Sequence, residues 1–228
     1  MKPVNLKVPF SWDDRQIIIE DHVWYVPSYQ AIPQPFTFPG WDHPSVFGNS
    51  NPVIFEYCSG NGAWIAAKAA ENPHLNWVAI EKKFVRARKI WSKIKNHQLT
   101  NLFVICGEGY LVTNRYIADN SISSIYMNFP DPWPKNKHAK NRLIQDGFID
   151  EIARILKPEG HFTFVTDDPT YSEWTIDVVS RHLLMKNCCP SPFYATEMEG
   201  YGTSYFDQLW REKGKTIRYH QFQKNSCK

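Results

Sequence analysis

Val53-Ile54-Phe55-Glu56-Tyr57-Cys58-Ser59-Gly60-Asn61-Gly62 decides how this chain folds. Val53 to Tyr57 reads as a short strand, because β-branched and aromatic side chains favour the pleated backbone. The Ala-rich stretch from Gly62 to Glu71 reads as a helix. A strand that runs through a glycine-bearing turn into a helix opens a strand–helix unit. Glycines in such a turn let backbone approach a ligand closely, and a nucleotide-like group then sits near the helix N-terminus. The dinucleotide fingerprint GxGxxG is not met, since only Gly60 and Gly62 fit it. That weighs against an NAD-dependent oxidoreductase.

The same alternation continues toward the C-terminus. Asn76 to Ile80 is a second strand and Lys82 to His97 a helix, with apolar Phe84, Ala87, Trp91 and Ile94 spaced 3, 4 and 3 apart. Leu102 to Cys106 and Ile122 to Asn128 are the third and fourth strands. Arg142 to Leu156 reads as a helix closed by Lys157-Pro158-Glu159-Gly160, a stop signal. His161 to Thr166 is a fifth strand and Tyr171 to Leu184 another helix. The tail from about Phe193 reads as strand, loop and strand, the last over Thr216 to Gln223. Strands alternating with helices predict an α/β fold, a doubly wound parallel sheet that binds ligands at the carboxyl ends of its strands.

Residues 1–51 read differently. Pro3, Pro9, Pro27, Pro33, Pro35, Pro39 and Pro44 break regular structure, while the many aromatics argue against a disordered tail. The expected organisation is an N-terminal extension over 1–51, lying on the domain or on a ligand, and one domain over 52–228.

Composition narrows the class. With 228 residues, 43% hydrophobic and 21% charged, the chain is long enough and apolar enough for a real core. No apolar run reaches the length of a membrane span, and Met1 to Phe10 lacks a signal peptide's features, so a cytoplasmic protein without membrane attachment is expected. Cys58, Cys106, Cys188, Cys189 and Cys227 form no CxxC pair and are expected to be reduced thiols. The eight histidines lack metal-ligand spacing, so no metal is expected.

Three acids stand out. Glu56 belongs to the first strand, Glu81 ends the second, and Glu108 follows the third in Cys106-Gly107-Glu108-Gly109. A carboxylate after the second strand suits the two hydroxyls of a ribose. Taken singly, each acid is an ordinary loop residue. Acids closing three successive strands beside a glycine turn resemble the pattern of methyltransferases that use S-adenosyl-L-methionine.

After the fourth strand comes Asn128-Phe129-Pro130-Asp131-Pro132-Trp133-Pro134-Lys135. Three prolines around an Asp make a rigid extended loop, the kind that substrate positioning needs. This segment, followed by Lys137-His138, resembles the signature of the tRNA (guanine-N7-)-methyltransferases. Leu156-Lys157-Pro158, Val165-Thr166-Asp167 and Thr203 fit that family in order and spacing, over residues 53 to 223. The resemblance implies a Rossmann-like methyltransferase sheet, mostly parallel with an antiparallel C-terminal strand. It implies that Glu56, Gly60, Gly62, Glu81, Glu108 and Asp131 bind S-adenosyl-L-methionine, that Asp131 is catalytic, and that Lys135, Asp167, Thr203 and Asp207 meet the tRNA. It also implies a target guanine in the variable loop.

This chain departs from the pattern in three places. Cys58 stands where the family usually has Gly, and Glu108 where it has Asp. The family's late Thr-x-x-Glu reads Thr203-Ser204-Tyr205-Phe206-Asp207 here, with the acid one residue late.

Guanine N7 carries a lone pair and no proton, so attack on a methyl needs no base. Asp131 is then expected to hold the base or the cofactor and to offset positive charge. Phe129 and Trp133 are candidates to stack on an extruded base. Lys135, Lys137, His138, Lys140 and Arg142 crowd within eight residues without an acid, a pattern suited to phosphate. Lys82, Arg86, Lys89 and Lys93 share one helix face, and Arg211, Lys213, Lys215 and Arg218 add positive charge to the tail. Two other readings stand beside this one. Asn128-Phe129-Pro130 is similar to the Asn-Pro-Pro-aromatic loop of enzymes that methylate amino groups, and a non-catalytic RNA-binding module would carry the same charges.

Overall fold

The computed structural model describes residues 1–29 and 35–226; Pro33 and Cys227 lie outside them. The chain packs as two compact units, Met1–Ile117 and Ala118–Lys228.

In the first unit the strand order is β1 (Ile18–Glu20), β2 (Val23–Val26), β5 (Leu102–Gly107), β4 (Asn76–Glu81) and β3 (Val53–Tyr57). All pairs but β1–β2 are parallel. Every residue of β3 and β4 is buried, as expected for parallel strands covered on both faces. Helices α1 (Ala63–Glu71) and α2 (Phe84–His97) pack on each other and on β4. In α2, Ala87, Ile90, Trp91 and Ile94 are buried, while Arg86 and Lys89 are exposed. Helix α3 (Gly109–Tyr116) follows β5.

The N-terminal segment adds strands to this sheet instead of only lying over it. Asp21 and His22, both with positive φ, turn β1 into β2, and β2 then pairs in parallel with β5. The Asp21 carboxylate accepts the Trp91 indole N–H at 2.9 Å and pairs with Lys95, fastening the turn to α2. The aromatics of the segment make a second layer. Trp24 stacks on Phe38 at 4.6 Å, and Trp41 meets Phe55 edge-on at 5.3 Å.

In the second unit β6 (Ile122–Asn128) pairs in parallel with β7 (Leu156–Thr166), β7 pairs antiparallel with β9 (Arg218–Lys224), and β8 (Met185–Asn187) pairs antiparallel with β9. Helix α4 (Asp146–Ile155) leads into β7, and α5 (Pro169–Ser180) leads out of it. The expected stop at Lys157-Pro158-Glu159-Gly160 is a bulge inside β7. The ladder skips from Ile122–Leu156 to Ser124–His161, and Glu159 has φ +64°. A Cβ at Gly160 would stand 2.9 Å from the Lys157 carbonyl oxygen, so the bulge requires glycine there. The tail expected as strand, loop and strand contains a helix, α6 (Tyr205–Glu212), capped by the Ser204 hydroxyl. Parallel strands alternating with helices, closed by antiparallel C-terminal strands, make this a Rossmann-like α/β fold.

Candidate active site

The first unit gathers the acids around the turn after β3. Register sets Glu81 beside Cys106, so β4 and β5 end level, with Glu108 just beyond. Glu81 is buried, and its two oxygens accept the Gly60 N–H at 3.0 Å and the Lys83 N–H at 2.8 Å. Arg86 reaches the same carboxylate at 4.0 Å. Each carboxylate oxygen keeps further lone-pair capacity for a hydroxyl. Glu108 caps α3, accepting from the N–H groups of Tyr110 and Leu111. Glu56 is 2% exposed.

Backbone geometry shapes the turn. Cys58, Gly60 and Gly62 have φ of +59°, +57° and +69°. A Cβ at Gly62 would meet Ile90 Cγ1 at 2.6 Å, so α1 can start this close to α2 only from glycine. Cys58 takes the same left-handed conformation with a side chain. Its thiol keeps solvent access yet stands in a crowded recess. Desolvation there, then the charges of Glu81 and Glu56, push it up to about 12, so it stays protonated near neutrality. Arg86 and Glu108 act on the same thiol, the cation lowering it and the acid raising it. Negative charge and diol acceptors beside a backbone turn suit a ligand with a ribose and a positive sulfonium.

The second unit carries the proline loop. Asp131 is exposed, and its Oδ1 is touched only loosely by the Trp133 N–H at 3.4 Å. The loop around it is held firmly. Phe129 and Trp133 adopt φ of +48° and +44°, and the Phe129 N–H donates to the Val165 carbonyl at 2.9 Å. Just before the loop, the buried Tyr201 hydroxyl donates to Asn128 Oδ1 at 3.0 Å. Lys135, Lys137 and Lys140 are exposed, as phosphate contact requires. Thr203 is exposed just before α6. Asp167 is half-buried and paired with Lys215.

Two expected RNA contacts prove to be internal. Arg142 is 3% exposed. Its Nε donates to the Pro132 carbonyl at 2.9 Å, and its guanidinium lies over Tyr171 and Trp174 at 5.3 and 5.2 Å. It braces the loop, where a stem long enough to reach inward and a planar cation suit the two rings. Asp207 is also buried, accepting from Arg211 Nε at 2.5 Å and from the Tyr219 hydroxyl at 2.6 Å. With both oxygens engaged inside, it ties α6 to β9. Trp133 turns edge-on to His138 at 5.9 Å. Phe129 instead meets Phe206, at 6.0 Å. Sequence reasoning missed Phe206, because it read no helix there; the Ser204 cap three residues before Asp207 was the available signal.

Among the described residues no helix is long and apolar enough to cross a membrane, and no group of three or more His, Cys, Asp or Glu side chains is placed to hold a metal.

Similarity to known proteins identifies the family and the fold. The family model described as "Putative methyltransferase" matches residues 50–219. The tRNA (guanine-N(7)-)-methyltransferase of Chlamydia muridarum is 44% identical over 98% of both chains, and that of Chlamydia pneumoniae is 40% identical over 99% of both. Among solved structures, the 16S rRNA methyltransferase KamB superposes with a TM-score of 0.58 at 14% identity, over 78% of this chain and 90% of KamB. That likeness speaks to the fold.

Proposed function

The chain belongs to the tRNA (guanine-N(7)-)-methyltransferase family, and from that premise we propose that it transfers the methyl group of S-adenosyl-L-methionine to N7 of a guanine in tRNA. The observation that carries the proposal is near-full-length identity to relatives of that name, in a chain whose strand-end acids and rigid Asp131 loop have the required chemistry.

In this reading Glu81 accepts the ribose hydroxyls, held in place by the N–H groups of Gly60 and Lys83. Gly60 and Gly62 keep the turn open to the ligand, and Glu56 and Glu108 complete the acidic rim. The cofactor supplies a methyl on a positively charged sulfur, ready for in-line displacement. Guanine N7 brings its own lone pair, so no residue has to remove a proton. The protein's part is positioning and electrostatics. Asp131, exposed on a braced loop, holds the base and offsets the positive charge that it acquires. Lys135 and the lysines after it meet phosphate, and Asp167 and Thr203 meet the RNA nearby. A cytoplasmic location and a target in the variable loop belong to the same proposal.

The test is transfer from labelled S-adenosyl-L-methionine to unmodified tRNA transcripts, with the product nucleoside identified. N7-methylguanosine is expected. Asp131→Ala should lose it by roughly a hundredfold or more. A product methylated on an amino group, or an Asp131→Ala enzyme of normal turnover, would overturn the assignment.

A further inference from the structure

Helix α6 presents aromatic rings to solvent. Tyr205 is 66% and Phe206 45% exposed, and their rings meet at 5.3 Å. A short, strongly amphipathic surface helix ordinarily turns such rings inward. Here the inward side is a polar clamp. Asp207 binds Arg211 and Tyr219, and Ser204 caps the first turn. The clamp fixes the helix with its rings outward.

Behind Phe206 lies Phe129, 6.0 Å away and tilted by 40°. Phe129 opens the Asp131 loop in a left-handed conformation that a non-glycine residue adopts only under constraint. Its N–H is pinned to the Val165 carbonyl, which fixes the backbone from which the ring projects. One turn along α6 from Phe206, Trp210 carries the Lys215 ammonium at 4.0 Å and the Lys213 ammonium at 4.9 Å, and both lysines are exposed. Exposed rings interleaved with cations suit an unpaired nucleic-acid strand, because bases stack on the rings while phosphates meet the cations.

Resting on the tRNA reading above, we propose that Phe206, backed by Phe129, is the surface on which an unstacked nucleobase of the tRNA stacks. The subsite lies one residue before the buried Asp207 and takes a base face, which is apolar and polarisable, where a carboxylate would take a hydrogen-bond donor.

The experiment compares wild type, Phe206→Leu and Phe206→Trp in steady-state methyl transfer to tRNA. Leucine keeps an apolar side chain and removes the ring. F206L should raise KM for tRNA roughly tenfold, with kcat and cofactor affinity unchanged, and F206W should restore KM. Tryptophan fluorescence of F206W should be quenched further than that of wild type when tRNA is added, a reading that does not depend on how F206L folds. A wild-type KM in F206L, or no added quenching in F206W, would overturn the stacking surface while leaving the methyltransferase intact. If wild type itself binds S-adenosyl-L-methionine but neither binds nor methylates tRNA, the functional reading falls and the surface falls with it.

Discussion

Arg142 donates from Nε to the carbonyl oxygen of Pro132 at 2.9 Å, one residue from Asp131. Its guanidinium is also packed over Tyr171 and Trp174, so a single buried cation joins the loop to α5. Lysine cannot reproduce a planar donor lying on two rings. Arg142→Lys should therefore lower kcat about tenfold with KM for S-adenosyl-L-methionine unchanged, and cost about 1–3 kcal/mol of stability. Steady-state kinetics beside urea unfolding checks both. Full turnover in R142K would show that Asp131 needs no brace.

The turn after β3 contains two positions with opposite expectations. Cys58 at φ +59° bears a side chain in a conformation that glycine occupies freely. Cys58→Gly should stabilise the fold by about 0.5–1 kcal/mol, after allowance for the greater freedom of glycine in the unfolded chain. Gly62→Ala should do the reverse, by about 1–3 kcal/mol, because its Cβ would collide with Ile90. Denaturant titration of the two variants decides the matter, and Ile90→Val should recover part of the second loss.

Stability should depend on pH through His220. This ring is fully buried between Ser172 and the Phe193 carbonyl, and desolvation lowers it from 6.5 to about 4. The folded value lies below the unfolded one, so unfolding takes up a proton between these limits. The contribution is complete above about pH 6.5 and is lost as pH falls toward 4. The interval corresponds to roughly 3 kcal/mol. His220→Gln should flatten that part of the curve in urea titrations at pH 7.5 and pH 5.

Much of this architecture was legible in the chain. β3, β6 and α2 follow their residues closely, because β-branched runs and a 3.6-residue apolar period report burial directly. The acids at Glu56, Glu81 and Glu108 were legible for a related reason: parallel strands of similar length place their ends together. Strands β1, β2 and β8 were not legible, since three or four residues carry no period. Helix α6 was missed because its eight residues sit between segments of strand character.

Sequence by itself determined the alternation of strands and helices, the strand-end acids and the unusual proline loop, since each depends on residues near one another in the chain. It also located a positively charged run after Asp131. Only the tertiary structure decided which of those charges face water. Arg142 and Lys140 stand two residues apart in one run, yet Arg142 is buried on two aromatic rings contributed by α5 and Lys140 is exposed. Asp207, expected to face the RNA, is inside against Tyr219, while its neighbour Phe206 is outside against Phe129. Whether a side chain is buried depends on partners from other elements, 12 residues away for Asp207 and Tyr219, and local sequence pattern does not encode those contacts.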